Sequence, residues 1–528
     1  MSNGQYACPR CGRPMCRNGY TAGGTQKWAC VTDTGSGGRV VCYATTTPES
    51  KEILGHSPGK PIARPVFNPE TRAGCMTFII TAAQNATPVH AAFWKSLQRA
   101  AKHFKAELLV QPLSYNNPTS TWSKGARDSQ WWASETVKHL CNVRRELNKN
   151  LEFLCDIPIL PTASEPLTGL EGFGAKSKII GHTKLQFKTV ATPGHKMAAA
   201  LTTTGACTKA NYTDSRAGKM GEFHHTLGAV IVEIEGPLFW LRHLNANSRG
   251  EFIDLDKKFT PDGVRHAPRP SGLVLGDTHA RVADLTVDKA TFGPAGIVER
   301  YRPRRIVWHD LLDGQSMNPH EDGDPFGEQA LASGNHDDVE AEVNHAISWA
   351  ASRTPPWATS FVVASNHDDF LRRWLVKQDW KKIATKNRSF YLKCAKFMVD
   401  GAMLQDGMPS YPSPFPYLIR ARNLANVRAL GLGESLVIEG LQCGYHGHKG
   451  PNGAPGSIRN MRRIGEKTII AHGHGPGINE GSTQVGHNAK SDQPYAKGSP
   501  SSWMHTDCLI YPGGKRQLIS IIQGRHRR

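Results

Sequence analysis

Five short apolar runs in the C-terminal half of the chain each stop at a cluster of Asp, Asn or His. Gly272 to Leu275 stops at Gly276 and delivers Asp277 and His279. Arg305 to Trp308 runs into His309-Asp310-Leu-Leu-Asp313, and Phe361 to Ala364 into Ser365-Asn366-His367-Asp368. Leu436 to Leu441 leads to Cys-Gly-Tyr-His446-Gly-His448, and Lys467 to Ile470 to Ala471-His472-Gly-His474. Apolar runs of this length predict buried strands. At an extended strand end, residues i and i+2 share a side, so Asp277 and His279 converge. Open α/β sheets present their ligand-binding groups at strand carboxyl ends, so the five clusters are predicted to meet. Carboxylate oxygen beside imidazole nitrogen is the donor mix of a divalent-metal site.

Upstream, a second globular region begins at Cys75. MTFIITAA reads as a buried strand, Val89 to Phe104 has apolar residues at helical spacing, and AELLVQPL is a second strand. Strand, helix, strand predicts a parallel pair. A long helix is expected from about Trp131 to Leu154, then strands around Ser177 to Lys184, Ala199 to Thr203 and Ala229 to Glu235. Three polar clusters here have no assigned chemistry: His182 with Lys184, Thr202 to Thr204 before Gly205, and His224-His225. At the C-terminus, Cys508 to Tyr511 and Gln517 to Ile522 flank Pro-Gly-Gly-Lys and predict a hairpin. Gly481 to Ser502 reads as a mobile loop near the site. The expected organisation is a ribbon at 1–43, a linker at 44–73, an α/β domain at 74–267 and a catalytic domain at 268–528.

Composition adds a partner. The 528 residues carry a formal charge of +19, with hydrophobic and charged fractions of 39% and 21%. Those fractions exclude a disordered chain, and the charge favours a polyanion, nucleic acid first. No stretch reaches the ~20 apolar residues of a membrane helix, and MSNGQYACPR lacks a secretion pattern. The expectation is a cytoplasmic protein with no membrane partner. Five of the 12 cysteines fall within the first 42 residues, which argues for metal rather than disulfides. Cys8, Cys11, Cys30 and Cys42 are the expected ligands of a structural zinc, with Cys16 spare. The segment resembles the small zinc ribbons of transposase-associated DNA-binding proteins.

The ordered set D-x-H, [GH]-D-x-x-D, N-H-D, H and H-x-H resembles the calcineurin-like metallophosphoesterases, which include phosphatases, cyclic-nucleotide phosphodiesterases and SbcD-type DNA nucleases. The resemblance spans roughly residues 270 to 480 and implies an αββα sandwich there, preceded by the second α/β domain and the ribbon. It also implies a two-metal centre, with manganese best suited. Asp277, His279 and His474 would hold one ion, Asn366, His446 and His472 the other, and Asp310 would bridge them. His448 competes with His446. His367 is the implied donor to the leaving oxygen, with Asp368 orienting its ring, and Asp313 supports the turn after Asp310. His309, Ser365 and Ala471 stand where the family has Gly, which alters turns and leaves the ligands in place. Ser333-Gly-Asn335-His336-Asp337 is a closer literal match to the third motif, but no apolar strand precedes it.

FIITAAQNATPVH, LTTTGACT, EFHHTLGAVIVEI and HTDCLIYPGGKRQLISII add a narrower resemblance, over about 74 to 525, to phage first-step-transfer DNases. The functional expectation is therefore a metal-dependent DNA phosphodiesterase working in a host cytoplasm, as a homo-oligomer. A phosphomonoesterase and a non-catalytic DNA-binding protein are the alternatives.

Overall fold

The computed structural model describes residues 66–70, 74–117, 131–193, 196, 198–405, 408–410, 412–493 and 496–527, plus four backbone strands before residue 46. The chain divides into two compact units, Met1–Val66 and Phe67–Arg528. In the first, Tyr6–Ala7, Pro14–Tyr20, Gln26–Thr34 and Gly38–Thr45 form an antiparallel sheet in chain order. Its register sets Cys30 opposite Cys42. Cys8 and Cys11, and most of the expected 44–73 linker, lie outside the described residues.

The second unit is a mixed α/β structure. One six-stranded sheet runs Val427–Ala429, Thr359–Val362, Arg305–Trp308, Gly272–Val274, Thr506–Tyr511, Lys515–Ser520. Its first four strands are parallel, and the last two are the expected hairpin, of which Thr506–Tyr511 pairs antiparallel with Gly272–Val274. Gly272–Val274 and Ile306 to Trp308 in the middle of the sheet read as unbroken apolar runs because both faces are covered. On one face, Leu273, Ile306, Trp308 and Val362 share a core with helices Leu285–Phe292, Val339–Arg353, Asp368–Lys377, Thr385–Asp400 and Pro414–Ala421. On the other, Val274, Val307 and Ile510 meet Ile438, Leu441, Ile469 and Val485 of a second sheet.

That second sheet has ten strands, and it crosses residue 267. Gln186–Val190 pairs antiparallel with Gly477–Asn479, so the two regions expected as separate domains share one sheet within one compact unit. Each region covers an edge that the other would otherwise leave open. A four-stranded sheet completes the unit, in the order Leu238–Asn245, Gly228–Glu235, Thr77–Gln84, Glu107–Leu113. Thr77–Gln84 and Glu107–Leu113 are the expected parallel pair. Helix Ala91–His103 packs on one face of this sheet, and Leu151, Phe153 and Ile179 pack on the other.

Two expectations need correction. The stretch 131–154 holds only a short helix, Ser134–Val137, followed by strands Arg145–Asn148 and Leu151–Phe153. Asn148 Oδ1 accepts the Asn150 N–H at 2.9 Å, and this side-chain turn ends the first strand where helical spacing would continue. The 481–502 segment is largely built in: Ser482–Gln484 is a strand, and Val485 and His487 are buried. Among the described residues no helix is long and apolar enough to cross a membrane.

Candidate metal centre

All seven residues expected to hold the ion pair lie at the carboxyl ends of strands from the two facing sheets. Gly276 lets the Asp277 turn form, because a Cβ there would sit 2.8 Å from the backbone of Gly486 and His487. His279, Asp310, His472 and His474 all have left-handed backbones, at φ 41°, 40°, 70° and 54°. Non-glycine residues rarely hold that conformation, and such strain concentrates at functional sites.

Two groups of donors share one carboxylate. Ligand atoms of His279, Asp310 and His474 lie within 4.8 Å of one another, and so do those of Asp310, His446 and His472. Asp310 Oδ2 is 3.2 Å from His446 Nε2 and 3.9 Å from His279 Nε2. Asp277 touches both groups, with Oδ2 3.3 Å from His474 Nε2 and Oδ1 3.7 Å from His446 Nδ1. Both Asp277 oxygens, Asp310 Oδ1 and Asn366 Oδ1 are buried without a hydrogen-bond donor. Orphaned buried oxygens are costly unless something else satisfies them. Facing imidazole nitrogens, they fit a pair of divalent cations.

The protonation pattern has the same cause. Burial pushes the Asp277 carboxyl up to about 7, against the pull of His446. For Asp310, burial is outweighed by His446 and His367, and it lies well below the usual carboxylate range. Burial opposes charge on His279, yet Asp313 and Asp310 raise it to about 9. Burial lowers His472 to about 4, and His474 well below its ordinary value. Two neighbouring carboxyls driven in opposite directions are competing for too little positive charge.

His367 is held differently from expectation. Its Nδ1 donates to the Asp313 carbonyl at 2.6 Å. Asp368 instead braces its own turn: Oδ2 accepts the Ser365 N–H at 3.0 Å, and the Asp368 N–H donates to Ser365 Oγ at 3.2 Å. Orientation of the ring therefore belongs to Asp313, whose Oδ1 also lies 3.2 Å from His279 Nδ1. His446 takes the place among the donors, while His448 lines the adjoining cavity. His309 is fully buried with both ring nitrogens unpaired, and burial lowers it to about 3. In the rival third motif, Asn335 and His336 are exposed, beyond helix Pro325–Ser333.

His487 was not anticipated. It is buried, and its ring stacks on His474 at 5.6 Å and on His505 at 4.4 Å. The available signal was a sixth strand ending in polar residues, Ser482–Gln484 before Val485-Gly486-His487-Asn488. Trp503 packs edge-on against His474 at 4.4 Å and closes that side.

A cavity of about 1450 Å³ opens beside the cluster. Asn366, His367 and His448 form its inner wall, and Arg372, Arg373, Arg420 and Lys449 line it further out.

No family model matches the chain. Protein A1 of Escherichia phage T5 is 30% identical over 466 residues, which covers 85% of this chain and 82% of that protein.

Proposed function

We propose, from the premise that this chain belongs to the family of phage T5 Protein A1, that it is a metal-dependent phosphodiesterase that cleaves DNA. One observation carries the reading: two buried donor groups share Asp310 and open onto a cavity lined by cations. Two facing sheets with the candidate ligands at their strand ends support reading the fold as a metallophosphoesterase sandwich. Asp277, His279 and His474 would hold one ion and Asn366, His446 and His472 the other, with Asp310 common to both. Oxygen and imidazole together suit manganese. When bound, such a pair neutralises phosphate oxygens and activates the attacking water.

The chain's own groups do the rest. Arg373 and Lys449 draw the phosphate backbone toward the cluster. His367 reaches the same cavity with its Nε2 edge, because Nδ1 is committed to Asp313. The basic balance of the whole chain, +19, suits a polyanion better than a small phosphomonoester. A structural zinc on Cys8, Cys11, Cys30 and Cys42 belongs to the same proposal, with Cys30 and Cys42 already opposite each other.

The test is supercoiled plasmid incubated with the protein, with and without manganese. Nicking or degradation only with the metal supports the reading. Intact plasmid with hydrolysed para-nitrophenyl phosphate points to a monoesterase, and neither reaction leaves a DNA-binding scaffold.

Uptake of the metal is expected to depend on pH. Asp277, at about 7, and His279, at about 9, must shed protons before they can ligate, so protons compete with the ion. Manganese affinity should rise at least about tenfold from pH 6 to 8. Titration calorimetry in buffers of different ionisation enthalpy reads both the affinity and the protons released. A flat profile would contradict the assignment of Asp277 as a ligand.

A further inference from the structure

The ten-stranded sheet reads the same from either end. Outward from its centre, Gln186–Val190 is followed by Ala199–Thr203, Ser177–Ile180, Leu151–Phe153 and Arg145–Asn148. In the other direction, Gly477–Asn479 is followed by Ser482–Gln484, Thr468–Ile470, Leu441–Gln442 and Val437–Ile438. Both series pair antiparallel, parallel, parallel, antiparallel. They also arise in the same chain order. At the centre Phe187 faces Ile478, which marks a local two-fold axis.

The remaining sheets agree. Thr77–Gln84 lies between a parallel strand, Glu107–Leu113, and an antiparallel hairpin, Gly228–Glu235 with Leu238–Asn245. Gly272–Val274 lies likewise between Arg305–Trp308 and the hairpin Thr506–Tyr511 with Lys515–Ser520. The match extends to single hydrogen bonds. Ala82 N–H donates to Gly205 O and receives Cys207 N–H on its carbonyl, as Asp277 does with Gly486 and Asn488. His90 N–H donates to Cys207 O, as Asp284 N–H does to Asn488 O. His90 and Asp284 then each cap the helix that follows.

We infer that residues 74–245 and residues 272–520 are two copies of one fold, and that the first copy has lost its metal centre. The register assigns the counterparts. Ile179 pairs with Thr202 and Ile180 with Thr203, as Ile469 pairs with Thr483 and Ile470 with Gln484. Gly181-His182-Thr183-Lys184 therefore stands where Ala471-His472-Gly473-His474 stands. Ala82 takes the place of Asp277, and its pairing with Gln111 puts an amide in the place of Asp310. The strand that leads to Asn366 is reduced in the first copy to a single parallel bridge, Val110 with Leu140.

The polar side chains that replace the donors are hydrogen-bonded within the protein. Gln111 Nε2 donates to Ile157 O at 3.1 Å, and its Oε1 accepts the Gly181 N–H. His182 Nε2 lies 3.0 Å from Leu160 O. Lys184 Nζ donates to Ser164 O at 2.6 Å and to Glu480 at 2.9 Å. An ammonium at the His474 position repels a divalent ion where an imidazole would bind it. Resting on the reading that the second copy holds the ions, the chain is a built-in pair with one centre. The inert copy serves as the fixed partner that covers the Gly477–Asn479 edge.

The test counts manganese on the full-length protein after equilibrium dialysis, with zinc measured separately. Wild type, His182→Ala and Lys184→Met are expected to hold two manganese ions per chain, and an Asp277→Asn/Asp310→Asn double variant none. Circular dichroism melting checks that each is folded, and His182→Asn replaces His182→Ala if the latter is not. Manganese that survives the double variant and is lost on changing His182 or Lys184 would overturn the inference. A wild type that takes up no manganese would instead overturn the metal centre itself, and the asymmetry with it.

Discussion

Asp310→Asn is expected to release both divalent ions together and to lower manganese-dependent DNA cleavage by roughly 10³-fold or more. Asp310 is the one residue common to the two donor groups. Its left-handed backbone, φ 40°, aims the carboxylate between them, and asparagine tolerates that conformation well. The substitution therefore removes charge with little change of shape. Without Asp310, His446 and His279 lose a carboxylate that raises both, and they can remain neutral in a buried site. For that reason the chelator-treated variant should melt close to chelator-treated wild type, which separates loss of metal from loss of fold. His472→Ala touches only one donor group and should leave one ion of the two. Atomic absorption beside a plasmid assay reads all three forms. Full activity with asparagine at 310 would leave the shared-carboxylate reading without support.

The convergence of the candidate donors was legible because every member ends a short apolar run, a signal that needs no knowledge of distant contacts. The hydrogen-bond partners of the neighbouring residues were not legible. Asp368 follows His367 in sequence and looked like its orienting group, but helix Asp368–Lys377 starts there and turns the carboxylate back onto Ser365. The carbonyl that does hold His367 comes from Asp313, 54 residues earlier. His487 was hidden for a related reason. The glycine and polar text around it resembles a loop, yet a Cβ on Gly486 would lie 1.8 Å from the Met504 carbonyl, so that glycine allows buried close packing. The apparent boundary at 267 reflected a change of sequence character that the sheet ignores, because Gln186–Val190 and Gly477–Asn479 hydrogen-bond through backbone alone. The repeated topology is invisible at the residue level, where few side chains beyond Ile179-Ile180 and Ile469-Ile470 correspond.

His367→Ala is expected to keep both manganese ions and still lose roughly 10²- to 10³-fold in turnover on DNA. Its ring lies edge-on to His279 at 4.6 Å and lines the cavity, so it adjoins the centre without belonging to either group that shares Asp310. With Nδ1–H committed to the Asp313 carbonyl, a proton on Nε2 makes the ring an imidazolium. Burial disfavours that charge and lowers His367, while Asp310 works the other way. A bound phosphodiester adds negative charge beside Nε2 and favours the protonated ring, so the acid forms when substrate is present. Leaving-group dependence provides the decisive comparison. A DNA 3′ or 5′ oxygen leaves as a poor alkoxide and needs the proton, whereas the nitrophenolate of bis-para-nitrophenyl phosphate does not. The variant should therefore recover most of its deficit on the activated ester. An equal loss on both substrates, with manganese content unchanged, would assign His367 to binding the phosphate rather than protonating the leaving oxygen.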